Sequence, residues 1–156
     1  MKGIAKIITA ILCLAALLIS AGCYTVGEKN EYPTFDEGIT YIHDSGYRIF
    51  YMAFTWNDEN YVGKKYAVDG MFKMNAHGEE SEPYLFRYST ERHSGHSHTY
   101  ELGFYLKGEN LPTDLEEGTW IRVIGTVNTE THGEHTHIVL QVDSWEKLDK
   151  EGIANV

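Results

Sequence analysis

The sequence predicts a mainly β domain: a small five-stranded barrel of the OB type, preceded by a short helix. Three observations carry that expectation. From Lys64 onward, five segments rich in β-branched and aromatic residues alternate with turn formers. One of them carries a glycine in its middle, which suits a sheet that must curl closed. Ahead of them lies one segment with helical spacing.

The five strand segments are residues 65–74 (KYAVDGMFKM), 84–90 (YLFRYST), 99–107 (TYELGFYLK), 119–128 (TWIRVIGTVN) and 136–145 (THIVLQVDSW). Inward and outward positions alternate only partly along the fourth, and Gly125 within it predicts a bulge or sharp bend. In residues 47–56 (YRIFYMAFTW), Ile49, Met52, Ala53 and Trp56 share a helical face, whereas the aromatic content would suit a strand. The helical reading is preferred, with an end near Asn57 and Asp58. Five short strands with one packed helix fit an OB-like barrel; a β-sandwich is the second arrangement.

The N-terminus has a different character. Lys2 and Lys6 precede an apolar run over residues 7–19, broken only by Thr9, and Ser20-Ala21-Gly22-Cys23 follows. A positive start, a short apolar stretch and small residues describe a secretory signal. The run is shorter than the ~20 residues a membrane-spanning helix needs, which disfavours an uncleaved membrane helix. The cysteine after Ala21-Gly22 makes the segment resemble a lipoprotein signal peptide, although Ser20 stands where such signals usually have leucine. That resemblance implies cleavage before Cys23 and acylation of its thiol, with the protein held on the extracytoplasmic face of the cell membrane. The expected division is 1–22 signal peptide, 23–46 lipidated cysteine and tether, and 47–156 barrel domain. Cys13 would leave with the signal, so no internal disulfide is expected and the core alone must hold the fold.

Thirteen lysines and arginines face 23 aspartates and glutamates, for a formal charge of −10, and loss of Lys2 and Lys6 makes it more negative. Nucleic acid is excluded as a partner, because phosphate binding needs a positive footprint. Charge-driven adhesion to anionic lipid is disfavoured too. Cations are favoured, since a negative surface raises their local concentration.

Six of the eight histidines fall in two segments of identical spacing. His93-Ser94-Gly95-His96-Ser97-His98 and His132-Gly133-Glu134-His135-Thr136-His137 both read His-x-x-His-x-His. Each runs from a glycine-containing turn into a predicted strand. In a strand, residues i and i+2 point to one side with Cα atoms ~6.6 Å apart, so His96 with His98, and His135 with His137, can each share one ion. His93 and His132 would close the sites from the turns, where Gly95 and Gly133 loosen the backbone. If the two strands are neighbours, four to six imidazoles would converge; otherwise there are two weaker sites. Imidazole with carboxylate and no thiolate favours Zn²⁺, Cu²⁺, Ni²⁺ or Co²⁺ over Ca²⁺ or Mg²⁺. Zn²⁺ is preferred on availability. Glu91, Glu101 and Glu134 are candidates for a ligand or for a hydrogen bond to a ring N–H. The competing reading is that the histidines are solvated turn residues. His43 and His77 stand alone and read as structural or surface residues.

No other chemistry stands out. The segment 132–137 is not the helical His-Glu-x-x-His of zinc proteases, and Ser94 and Ser97 lack a nucleophile-elbow context. Asp69-Gly70 and Lys107-Gly108 read as turn elements, and Trp56, Trp120 and Trp145 as core or groove residues. An enzyme is not expected, although a histidine-bound zinc with an open position could activate water.

Several short stretches together resemble a known but uncharacterised family. They are Tyr61-Val62-Gly63-Lys64-Lys65, Asp69-Gly70-Met71-Phe72-Lys73, Tyr84-Leu85-Phe86-Arg87-Tyr88, Glu101-Leu102-Gly103-Phe104, Gly118-Thr119-Trp120-Ile121-Arg122-Val123-Ile124-Gly125-Thr126 and Asp143-Ser144-Trp145-Glu146-Lys147-Leu148. Members of that OB-like family occur as small bacterial lipoproteins and as the soluble C-terminal domain of a permease subunit. The resemblance spans residues 49–150 and implies an OB-like barrel with a preceding helix. Members often carry a Cys-Cys pair after the strand matching 84–88; here His93, His96 and His98 take that place. Zinc binding survives such a swap, and thiol redox chemistry does not. The expected function is a lipid-anchored extracytoplasmic metal-binding protein that captures, buffers or delivers zinc to a membrane transporter or permease. The alternative is an OB-type module for a glycan, peptide or protein partner.

Overall fold

A computed structural model of the chain describes residues 33–77, 80–132 and 135–156. The expected signal peptide, Cys23 and the start of the tether lie outside the described residues. Pro33 to Val156 form one compact unit. Its elements are β1 (Ile39–Ile42), α1 (Tyr47–Trp56), β2 (Lys65–His77), β3 (Glu80–His93), β4 (His96–Lys107), β5 (Trp120–His132) and β6 (His135–Lys147).

The strands run in the order β1-β2-β3-β4-β6-β5, and β2 also pairs with β5. That last pairing closes β2, β3, β4, β6 and β5 into a five-stranded barrel with one short helix, as the sequence predicts. All neighbours in the barrel are antiparallel except β4 and β6, which meet in parallel at Tyr105–Val139, Leu106–Leu140 and Lys107–Gln141. The expected irregularity at Gly125 is present, as a register shift between Ile124 and Gly125. A side chain there would press its Cβ to 2.3 Å from the carbonyl oxygen of Gln141, so only glycine lets the two strands approach.

Closure requires β2 to change partners. Its first half pairs with β5, from Lys65–Thr126 to Met71–Trp120, and its second half with β3, from Met71–Phe86 to His77–Glu80. The strands β2 and β3 therefore part below Met71 and Phe86, leaving one open edge on each. Strand β1 fills the edge of β2 in parallel, with Ile39 opposite Lys65 and Ile42 opposite Val68. Residues read from the sequence as tether thus supply the first strand. The C-terminal segment fills the edge of β3: the Tyr88 N–H donates to Ala154 O, and the Val156 N–H donates to Tyr88 O. Arg87 sits in the fork between the strands, and its Nε donates to the carbonyl of Asp69.

The barrel interior is filled by Val68, Phe72, Leu85, Phe104, Leu106, Ile121, Val123, Val127 and Leu140, each completely buried. Helix α1 covers one mouth with Tyr47, Phe50 and Phe54. That is the face opposite to the stripe noted in the sequence: Ile49 and Trp56 are 71% and 78% exposed. Trp56 is accordingly not a core residue, whereas Trp120 is buried and Trp145 packs at the core margin. Among the described residues no helix is long and apolar enough to cross a membrane.

Burial of tyrosines makes the fold sensitive to alkali. Desolvation pushes the phenols of Tyr47, Tyr51, Tyr66 and Tyr84 upward. Tyr41 is pushed up to about 12, first by burial and then by its hydrogen bond to Asp69. An unfolded tyrosine ionises near ~10, so the folded state holds the protonated form. The associated stability is complete below pH ~10 and is lost as pH rises through the folded values. The urea midpoint is expected to hold between pH 8 and 9.5 and to fall steadily from about pH 10 to 12. A midpoint constant to pH 12 would show that these phenols are hydrated.

Candidate functional site

Both histidine segments are tips of hairpins. At the first, His93 pairs with His96 across a two-residue loop in which Ser94 and Gly95 have φ of 48° and 88°. Two successive positive φ values make a type I′ turn, the connection that matches strand twist. At the second, His132 pairs with His135. The His-x-x-His spacing is therefore the signature of a tight hairpin with a histidine on each flank.

Register then decides which side chains share a face. Directly opposed residues in an antiparallel ladder project to the same side with Cβ atoms ~5 Å apart, and residues two apart do so ~6.6 Å along the strand. At the β3–β4 tip His93 opposes His96 and Glu91 opposes His98. Three imidazoles and one carboxylate thus occupy the corners of a small rectangle on one face. Glu91 is held in place there. Arg48 Nη2 donates to its Oε1 at 2.6 Å and the Tyr100 hydroxyl donates to the same oxygen at 2.7 Å. Its Oε2 lies 3.4 Å from His93 Nε2, turned toward the imidazoles. The Tyr100 hydrogen bond, followed by His93, holds the Glu91 carboxyl below its ordinary range, so the group is anionic when the histidines are neutral. The three rings are exposed.

At the β5–β6 tip the same pattern returns. His132 opposes His135, and Glu130 opposes His137. Glu130 was missed in the sequence, where the glutamate nearest the histidines is Glu134. Its signal was there to be read: 91–98 and 130–137 both spell Glu-x-His-x-x-His-x-His. The rings of His135 and His137 are 6.5 Å apart, and His137 packs edge-on against Tyr105 at 5.3 Å. Glu130 lies 3.6 Å from Lys107 Nζ, which is also bonded to Glu82.

The two tips do not meet. His137 touches Tyr105, seven residues along β4 from His98, a separation on the order of 20 Å at the strand rise. Their phase in the barrel wall also differs. In β4 the inward residues are Leu102, Phe104 and Leu106, and His96 and His98 continue that inward row. In β6 the inward row is Ile138, Leu140 and Val142, so His135 and His137 stand on the outward one. One shared site of four to six imidazoles is therefore not formed.

The remaining candidates lie elsewhere. Glu101 is on the opposite face of β4 from His96 and His98, ion-paired with Lys73 at 2.6 Å. Glu134 falls outside the described residues. His43 has its Nδ1 3.1 Å from Ser45 Oγ beside the N-terminus of α1, and His77 stands opposite Glu80 in the β2–β3 ladder. Among the described residues, no three histidine, cysteine, aspartate or glutamate side chains converge closely enough, as they stand, to hold a metal ion.

The family described as DUF1980 C-terminal domain matches residues 25–152, nearly the whole chain. The chain belongs to this family. The match covers every strand of the barrel and both histidine hairpins, and the family is an uncharacterised one. No curated protein matches the chain. The DUF1980 C-terminal domain is thus, in this chain, an OB-like barrel with two histidine-bearing hairpins.

Proposed function

We propose that this chain is an extracytoplasmic, lipid-anchored metal-binding protein. Zinc is the first ligand to test, with Cu²⁺, Ni²⁺ and Co²⁺ as competitors. It captures or buffers the ion at the membrane, or delivers it to a transporter or permease. Cys23 carries the lipid, and the protein binds without catalysing.

The observation that supports this is the register of the β3–β4 tip, which gives His93, His96, His98 and Glu91 one face. Imidazole nitrogen and carboxylate oxygen are ordinary Zn²⁺ donors at ~2.0–2.2 Å. Arg48 and Tyr100 add the outer hydrogen bonds that orient a ligating carboxylate. Ordering each exposed ring costs ~0.5–1.5 kcal/mol, which three or four metal bonds offset. The acidic surface adds a favourable field for any cation. The unconverged side chains support the second reading, a module for a glycan, peptide or protein partner.

Calorimetric titration with Zn²⁺ separates the two readings. The untagged chain is expected to bind Zn²⁺ near neutral pH, and more weakly at pH 5.5, because ligating imidazoles must be unprotonated. The His96→Ala/His98→Ala variant is expected to keep its circular dichroism spectrum and lose binding at the β3–β4 tip. Absence of any Zn²⁺ binding by the unmodified chain would remove the metal reading and leave the binding module.

A further inference from the structure

The two hairpins invite comparison as a pair. We infer that the chain holds two separate metal ions, one at each tip, and that Glu130 is a ligand of the second. This inference rests on the metal-binding reading above and extends it to stoichiometry, location and a further ligand.

Register brings the donors together. A hairpin with a two-residue loop places positions 1, 3, 6 and 8 of an eight-residue segment on one face: 3 opposes 6, and 1 opposes 8. Those four positions are Glu91, His93, His96 and His98 at the first tip, and Glu130, His132, His135 and His137 at the second. A set of four donors recurs at the same four positions of two hairpins that share no residue. A solvated turn has no need of that order, and a helix would scatter it. Four positions about 5 Å by 6.6 Å apart let one ion sit above the rectangle's centre within reach of every side chain. The donor set is three imidazoles and one carboxylate at the first tip, and the imidazoles of His135 and His137 with the Glu130 carboxylate at the second; three or four such donors suit a tetrahedral ion.

Separate sites follow from the distance and the phase already described. The β4 strand spaces His98 seven residues from Tyr105, the contact of His137. The tips also project from opposite sides of the barrel wall. The carboxylates are held differently as well. Glu91 receives Arg48 and Tyr100 at full hydrogen-bonding distance. Glu130 has Lys107 only at 3.6 Å, while Lys107 is bonded to Glu82. Burial is modest at both. A metal at the second tip therefore recruits Glu130 from a loose ion pair, and Lys107 stays satisfied by Glu82.

Zn²⁺ titration of the purified full chain in detergent, without a histidine tag, tests the count. Two ions per chain are expected. His96→Ala/His98→Ala and His135→Ala/His137→Ala are each expected to retain one, and the fourfold variant none, with circular dichroism unchanged throughout. Glu130→Gln should weaken one of the two sites at least tenfold and leave the other alone. With Cu²⁺ as the probe, pulsed electron spin resonance should give one inter-ion distance on the order of 20 Å. A chain that binds one ion, lost in either double variant, would overturn the separate sites while leaving metal binding intact. An unaffected second site in Glu130→Gln would remove Glu130 as a ligand. No binding by the unmodified chain would instead overturn the metal reading itself.

Discussion

Replacing Arg87 by methionine is expected to lower the stability of the domain by about 3 kcal/mol, chiefly because two backbone carbonyls lose their donor at ~1–3 kcal/mol each. Arg87 is completely buried, on the inward row of β3 between Leu85 and Ser89. It is tolerated there because the fork between β2 and β3 leaves polar groups for it to satisfy. Nε donates to Asp69 O at 2.8 Å, and Nη1 donates to the Asp44 carboxylate and to Ile153 O. The guanidinium lies 4.7 Å from the Tyr47 ring and 5.1 Å from the Trp120 ring, positions at which a desolvated cation gains from the ring faces. Methionine fills much of the volume and donates nothing. Two carbonyls lose a donor, at ~1–3 kcal/mol for each that water cannot reach. Asp44 is about a third exposed and rehydrates, so its share is small. Arg87→Lys is expected to recover less than half of the loss, since an ammonium lacks the planar fork that reaches three acceptors at once. Urea unfolding of both variants gives the comparison. Equal stability of Arg87→Met and the unmodified chain would mean that apolar packing replaces the whole network.

These groups show where sequence reading stops. The β-branched and aromatic content of 65–74, 84–90, 99–107, 119–128 and 136–145 marks strands because side-chain shape acts locally. Those five became β2 to β6, each longer than its local signal. Helix α1 was legible as a helix but not in its orientation. Ile49, Met52 and Trp56 satisfy a 3.6-residue period, and so do Tyr47, Phe50 and Phe54. Only the barrel beneath decides which set is buried. Strand β1 was not legible at all: four residues in a polar stretch become a strand because β2 has an open edge.

The candidate site divides in the same way. Its residue types and spacing are local, and could be read. Whether two hairpins meet depends on barrel closure, which no local pattern encodes. Ile138, Val139 and Leu140 are all buried, so the alternation that would have told inward from outward is erased beside His135 and His137. Glu130 was within reach of the repeated Glu-x-His-x-x-His-x-His spacing, but its place opposite His137 follows only from the ladder.

The second large effect is expected at Asp69, whose replacement by alanine should also lower stability by roughly 3 kcal/mol. Its carboxylate is 9% exposed and receives three bonds of 2.7 Å: Arg122 Nε on one oxygen, and Arg122 Nη2 and the Tyr41 hydroxyl on the other. A two-pronged guanidinium bond fixes both partners more firmly than a single contact. The triad joins β1, β2 and β5, so it stitches the added strand to the barrel where β2 changes partners. Without the anion, Arg122 keeps Glu146 at 3.3 Å, an exposed and weaker partner. A second readout follows from Tyr41, whose phenol is raised to about 12 by burial first and by Asp69 next. Removing Asp69 takes away the hydrogen bond and the negative charge, so the phenol should ionise at lower pH while burial still holds it above ~10. Asp69→Asn keeps an acceptor without the charge and should fall between. A double-mutant cycle with Arg122→Gln separates the pair from its surroundings. A coupling indistinguishable from zero, with Tyr41 ionising at an unchanged pH, would mean that the ion pair decorates the junction without holding it.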